Sequence, residues 1–320
     1  MASTALHTSD LKQLYQTGDR LFDRGELETA LKIFKQALEI ALTSNSFEQQ
    51  INTLNRIGLV YYRLGKHERA LIFLNSALKI AEKTDRQPQI AMIFNDIGDT
   101  YCLSIEYAAA LRHYAQALEI FQNIYHPVGI ATTLNHLGKI YNLLGLFENA
   151  LNSCQKSLDI FHRMERKSEF DRLIAQINIA KALHNIGKAY FGLGLSTQSK
   201  EMLELALVIR QKIWKIAVQR FSQNQDDFPQ NLLKNTRDYS HTSVQKLELT
   251  PQEEEDFTHS IIAQYGADLA QTINLIELVY RNLGQQQKAD TFRQLRKKFT
   301  PQDGMYNTST LPFYLRFSDN

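Results

Sequence analysis

Apolar residues along much of the chain recur with a helical period, in paired segments. In one such pair, Leu54, Ile57 and Tyr61 fall on one face of a predicted helix. Gly65 then interrupts the pattern and suits a helix C-terminus or a tight turn. A second apolar face begins at Ala70. The pattern therefore predicts two short helices joined by a tight turn.

This paired pattern returns every 40 residues through the first half of the chain. Three sets of positions carry the spacing: Gly18, Gly58, Gly98 and Gly138; Ala30, Ala70, Ala110 and Ala150; Leu38, Leu78, Leu118 and Leu158. Small residues at Gly58 and Ala70 allow the two helices of one hairpin to approach closely. A repeat of this length indicates a solenoid of stacked hairpins. We number these hairpins as units one to four and name the first set the repeat glycines.

A fifth unit follows the first four after a longer interval. Its repeat glycine, Gly187, comes 49 residues after Gly138, and Tyr190 and Gly194 complete the match. The extra residues fall in a charged segment between the two units. This segment is expected to extend the preceding helix or its turn.

The sequence of a sixth unit matches the repeat pattern less well. Tyr280, Gly284 and Ala289 match the repeat, but Glu277 stands in the place of the repeat glycine and Arg296 replaces a packing alanine. A degenerate last unit with a polar face is typical of a terminal cap.

The order G-x-x-Y, L-G, A-L, A-L, seen at Gly138, Tyr141, Gly145, Ala150 and Leu158, resembles the tetratricopeptide repeat family. The 40-residue period is similar to the extended variety found in kinesin light chains and in bacterial scaffold and regulator proteins. The resemblance implies an all-α fold, a right-handed superhelical solenoid of helix-turn-helix hairpins. It also implies that the first helix of each hairpin lines the concave face.

The pattern divides the chain into four parts. Residues 1–221 hold units one to five, and 222–249 form a polar loop that we expect to be mobile. Residues 250–299 hold a long helix and the sixth unit, and 300–320 form a C-terminal tail. The tail is apolar and aromatic for a chain end, so we expect it either to cap unit six or to occupy the groove.

Composition and the absence of known motifs disfavour several functional classes. The 36 basic and 34 acidic residues give a net charge of +2, which disfavours a dedicated nucleic-acid-binding protein. Cys102 and Cys154 form neither a disulfide framework nor a zinc site. No catalytic or phosphate-binding motif is found, and no apolar stretch is long enough for a transmembrane helix. We predict a cytoplasmic protein without enzymatic activity, cofactor, metal or membrane insertion.

The strongest functional pattern lies three residues before the repeat glycine. This position holds Tyr15, Asn55, Asn95, Asn135, His184 and, by alignment, Asn274. An amide can donate and accept together, so a ladder of asparagines can bind the backbone of an extended peptide. Extended tetratricopeptide domains resemble this chain in carrying such a ladder. The alternative is that these amides cap local turns or bond to the next hairpin.

The rest of the same helix face lies one and four residues after the repeat glycine. Besides the asparagines and His184, the predicted groove residues are Tyr62, Asp99, Lys139, Asn142, Lys181, Lys188 and Phe191. The lysines make the end at units four and five basic. Asp19, Asp96 and Asp99 make the other end more acidic.

These patterns predict a protein–protein interaction module that binds a peptide or protein segment in the concave groove. It would serve as an adaptor, scaffold or assembly factor. A peptide- or ligand-switched regulator of the bacterial type is the alternative that the resemblance implies. A third class, an RNA-binding helical repeat, is disfavoured because no continuous basic stripe accompanies the low net charge.

Overall fold

The computed structural model describes residues 2–23, 25–44, 46–164, 169–222 and 268–297. Every regular element within these ranges is an α-helix. In chain order they are α1 Ala2–Asp23, α2 Leu27–Thr43, α3 Phe47–Arg63, α4 His67–Lys83, α5 Gln87–Leu103, α6 Tyr107–Asn123, α7 Pro127–Leu143, α8 Phe147–Met164, α9 Glu169–Gly192, α10 Ser196–Ser222, α11 over 268–282 and α12 Gln286–Lys297.

The helices pack as a stack of hairpins in chain order. From α1 to α10, each helix contacts the next along the chain, within a hairpin and between hairpins. The first helices α3, α5, α7 and α9 also contact one another in sequence. Among the described helices, first helices therefore lie closer together than second helices, and the stack curves with first helices on the inner side. The predicted all-α solenoid is confirmed.

The repeat glycines sit where the two helices of a hairpin touch. A Cβ at Gly58 would lie 2.8 Å from Leu74 Cδ2, and one at Gly98 would lie 2.6 Å from Tyr114 Cε1. At Gly138 the same atom would be 2.1 Å from Cys154 Sγ. A side chain at these positions would push the hairpin apart, so the predicted reason for small residues is confirmed.

The turn inside each hairpin uses a left-handed residue. Gly65 has φ 69°, and its N–H donates to Tyr62 O at 3.0 Å, which closes the end of α3 as predicted. Glycines with positive φ hold the equivalent turn in most other units. Unit three differs because Ile105 adopts φ 65° there, with its side chain 61% exposed.

Unit six packs on unit five and closes the described end of the stack. Leu203 and Leu207 of α10 pack with Ile276 and Tyr280 of α11. Glu277 is only 4% exposed, and its carboxylate pairs with several arginines. These are Arg281 at 2.6 Å, Arg293 at 3.1 Å and Arg296 at 3.8 Å. The two departures from the repeat, Glu277 and Arg296, thus compensate each other.

Three predicted segments fall largely outside the described residues. These are the loop 222–249, apart from Ser222 at the end of α10, the part of the predicted long helix over 250–267, and the tail 300–320. The four-part division of the chain therefore stays a prediction. None of the described helices is long and apolar enough to cross a membrane.

Candidate binding groove

The predicted groove positions share one face of each first helix. Residues three before, one after and four after the repeat glycine are separated by three or four positions, which is one helical turn. They lie on α3, α5, α7 and α9, the helices that form the inner layer, and on α11. The structure therefore places most of the predicted residues on the inner layer of helices.

The amide of Asn95 is bonded to the neighbouring hairpin. Its Nδ2 donates to Thr133 Oγ1 at 2.9 Å, and that hydroxyl donates to Gly129 O at 2.9 Å. Asn95 is 9% exposed and Thr133 is fully buried. For Asn95 the structure thus shows the alternative contact, a bond to the next hairpin.

The same junction recurs in alternate units. Tyr15 Oη and Thr53 Oγ1 are 2.5 Å apart, and His184 Nδ1 lies 3.1 Å from Thr272 Oγ1. Each threonine stands five residues before the repeat position of its unit, as Thr133 does. Sequence reasoning missed these threonines. The signal was present, because Thr53, Thr133 and Thr272 fall at equivalent positions of units two, four and six.

Three asparagine oxygens on this layer have no donor among the described residues. They are Oδ1 of Asn55, Asn135 and Asn142, in side chains that are at least nine-tenths buried. Two of these amides are held by their nitrogen, since Asn135 Nδ2 donates to Asn178 O at 3.3 Å and Asn142 Nδ2 donates to Asn185 O at 2.8 Å. A buried acceptor without a donor costs about 1–3 kcal/mol. A hydrogen-bond donor that reached these oxygens would remove this cost.

Two of the acidic groove residues are engaged by the next hairpin. Asp99 Oδ1 accepts a hydrogen bond from Tyr114 Oη at 2.7 Å and lies 3.0 Å from His136 Nδ1. Burial opposes ionisation of Asp99, but His136, Lys139 and Tyr114 together hold its pKa well below the usual range. Asp19 pairs with Arg56 at 3.0 Å. Asp19 and Asp99 are therefore held by side chains of neighbouring helices, and the acidic character of this end stays a prediction.

The basic end lies on α7 and α9. Lys139 is exposed, Lys188 is half-buried, and Cys102 on α5 is 7% exposed. Burial and the charge of Lys139 lower the pKa of Lys188 to about 7. Burial also raises the pKa of the Cys102 thiol, so this thiol is protonated at neutral pH. Three consecutive first helices thus bring two ammonium groups and a neutral thiol together.

The remaining predicted residues lie at the margins of this layer. Tyr62 and Phe191 are half-buried and pack partly into the cores of units one to two and five to six. Lys181 is half-buried on α9, and Asn274 on α11 accepts a hydrogen bond from Arg296. Within the described residues no cluster of His, Cys, Asp and Glu could hold a metal ion. A peptide-binding role for all these positions stays a prediction.

Family models described as tetratricopeptide repeat match the chain at residues 14–83, 49–123, 130–164 and 180–212. Together these matches cover more than half of the chain and coincide with units one to five. A search of curated proteins gives no match.

Solved structures share the fold at low identity. BtubC from P. vanneervenii is 16% identical, with 88% of this chain and 90% of that chain covered and a TM-score of 0.55. Aspartyl phosphate phosphatase F from Bacillus subtilis is 14% identical, with 93% and 72% covered and a TM-score of 0.58. The Rap conjugation gene regulator of plasmid pLS20, solved in complex with a Phr peptide, is 13% identical, with 91% and 75% covered and a TM-score of 0.53.

At such identities the structures establish the fold alone. The repeat spacing, the hairpin stack and the family matches agree with one another unit by unit. The chain belongs to the tetratricopeptide repeat family.

Proposed function

We propose that the inner face of the solenoid binds a peptide or an extended segment of a partner protein. The observation that carries this proposal is the set of buried asparagine oxygens without a donor at Asn55, Asn135 and Asn142. An extended peptide presents backbone N–H groups at regular intervals, whatever its side chains are. Such donors match acceptors on the inner layer, of which one lies on α3 and two lie on α7.

The bonding of these amides favours a backbone ligand. The nitrogens of Asn135 and Asn142 already donate to carbonyl oxygens of α9, so these side chains offer an acceptor rather than a donor. Asn95 is less suited to this role because its oxygen already accepts a hydrogen bond from Thr133 Oγ1 at 3.2 Å.

Fold similarity supports the same mode by analogy. The Rap regulator of plasmid pLS20 was solved with a Phr peptide bound, and its fold resembles this chain over most of both lengths. We propose an adaptor, scaffold or assembly role without catalysis, in the cytoplasm.

A peptide-switched regulator is a second candidate. At the junction of units two and three, Asn55 faces a unit that carries Ile93 where units two, four and six carry threonine. Ligand binding at Asn55 would add a polar contact at a junction that the structure holds by an apolar cluster including Ile51, Ile93 and Phe94. A ligand that bridges this junction would favour one curvature of the stack over another.

The proposal is tested by selecting a phage-displayed random dodecapeptide library on the full chain. Selected peptides are then measured against Asn55→Ala/Asn135→Ala and against the control Asn75→Ala/Asn152→Ala, whose asparagines are exposed on the second helices α4 and α8. Because two hydrogen bonds are lost, the groove variant should bind about tenfold more weakly. The control should bind like the unchanged chain. Failure to select any peptide, or equal affinities for both variants, would contradict the proposal.

A further inference from the structure

The second helix of unit five departs from the repeat at two outward positions. Leu205 and Val208 lie on α10, and they are 51% and 61% exposed. At the equivalent positions units one to four carry exposed polar or charged residues, which are Gln36, Ser76, Gln116 and Lys156 for Leu205 and Glu39, Lys79, Glu119 and Asp159 for Val208. Unit five therefore presents apolar side chains to the outside where the four preceding units present polar ones.

This apolar surface continues onto unit six. Leu295 of α12 is the equivalent of Leu205, and it is half-buried against the cluster that joins units five and six. We name Leu205, Val208 and Leu295 the outer apolar patch. Contiguous apolar residues on the surface of a folded protein commonly mark a docking site. The patch is separate from the groove, because its three residues lie on second helices.

The described residues end beside this patch. The last of them, Lys297 of α12, is the equivalent of Leu207 in unit five, which lies between Leu205 and Val208. Side chains of α10 and α12 share one core cluster, and packed helices lie about 8–10 Å apart. The tail 300–320 therefore begins about one helix spacing from the patch.

The sequence of the tail fits an apolar surface. Every second residue in one stretch is a large apolar one: Leu311, Phe313, Leu315 and Phe317. Pro312 disfavours a helical conformation at the residue before it, and side chains alternate between two faces in an extended segment. An extended stretch would therefore present these four side chains on one face and Tyr314 on the other.

We propose that the tail of this chain docks on the outer apolar patch through Leu311, Phe313, Leu315 and Phe317. The inference does not depend on the proposed function, because the patch and the groove lie on different helices. Leu311 follows Lys297 by 14 residues, and so short a connection keeps the tail at a local concentration in the millimolar range. Docking within one chain is therefore favoured over docking on a second copy.

The test places the photo-crosslinking residue p-benzoylphenylalanine at Phe313 of the full chain, and mass spectrometry identifies the segment that reacts on illumination. The matched label stands at Tyr314. Mixing ordinary and isotope-labelled chains separates adducts within one chain from adducts between two chains. The Phe313 label is also measured in Leu205→Glu/Val208→Glu and in the control Ser76→Glu/Lys79→Glu, which changes the equivalent exposed positions of α4.

We expect the Phe313 label to react mainly with α10 and α12 of its own chain, near the outer apolar patch, and the Tyr314 label to give fewer adducts there. The patch variant should lose most of these adducts, because ionised carboxylates oppose the burial of apolar side chains, and the control should keep them.

Adducts on α3, α5, α7 and α9 would assign the tail to the groove and overturn the inference. Adducts confined to residues 223–267, adducts between two chains, or the absence of adducts would overturn it as well. An unchanged yield in the patch variant would show that Leu205 and Val208 do not hold the tail. None of these results bears on whether the asparagines of the groove bind a selected peptide, so the two proposals fail separately.

Discussion

Asn95 and Asn135 occupy equivalent places in successive units, yet their amides meet different surroundings. Asn95 meets the hydroxyl of Thr133 in the next hairpin, and that contact satisfies its nitrogen. Asn135 meets a backbone oxygen of α9, and its own oxygen has no donor within the described ranges. The residue five positions before the next repeat glycine decides the difference. The asparagine nitrogen therefore donates to the next hairpin at both junctions, whereas the Asn135 oxygen has no donor among the described residues.

Removing the Thr133 hydroxyl should destabilise the stack. Thr133→Val keeps the shape of the side chain but leaves the buried Asn95 amide without its acceptor, at a cost of about 1–3 kcal/mol. Denaturant melts of Thr133→Val, Asn95→Ala and the double variant give the coupling energy. We expect the double variant to lose less than the two single losses combined, because both partners are then gone. Strictly additive losses would show that this bond does not join the hairpins.

At the scale of helices and turns, the sequence predicts most of what the structure shows. The helical period, the small repeat residues and Gly65 depend on contacts within one unit, so one unit of sequence contains them. The pairing of Asn95 with Thr133 depends on how one hairpin is placed against the next. The periodicity alone does not fix that placement. For the same reason, one unit of sequence does not predict the contacts of Asp19 with Arg56 and of Asp99 with His136.

The turn inside the hairpin of unit three carries strain that glycine avoids at the equivalent turn of the other described units. Ile105 has φ 65°, a left-handed conformation that costs a residue with a Cβ about 1–2 kcal/mol. Ile105→Gly should therefore raise the stability by about 0.5–1 kcal/mol, since glycine loses part of the gain through its flexible unfolded state. Thermal melts should show a higher melting temperature for this variant and a lower one for the reverse change, Gly65→Ile. A lower melting temperature for Ile105→Gly would show that its side chain stabilises the turn.

At the scale of the whole molecule, the stack is held by neighbour contacts and needs a cap at its end. The cluster of Leu203, Leu207, Ile276 and Tyr280 joins unit six to unit five. Glu277, in the place of the repeat glycine, is neutralised by the arginines of its own unit. Each unit in such a stack is stabilised mainly by its neighbours, so destabilising unit six should have little effect on the stability of the distant units.

Glu277→Gln should therefore loosen the end of the stack selectively. The change removes the charge of a buried carboxylate from its partly exposed arginine partners, which should cost about 1–3 kcal/mol. Hydrogen exchange should quicken in α11 and α12 while α3 to α6 keep their protection. Uniformly faster exchange along the chain would show instead that the stack unfolds as one cooperative unit.

If the inner layer of first helices binds the ligand, a library-selected peptide that carries a benzophenone should crosslink to that layer on illumination. Mass spectrometry of the adducts identifies the labelled helices. We expect the adducts on α3, α5, α7 and α9, near Asn55, Asn135 and Lys188. Adducts confined to the second helices α4, α6 and α8 or to the turns would contradict the claim.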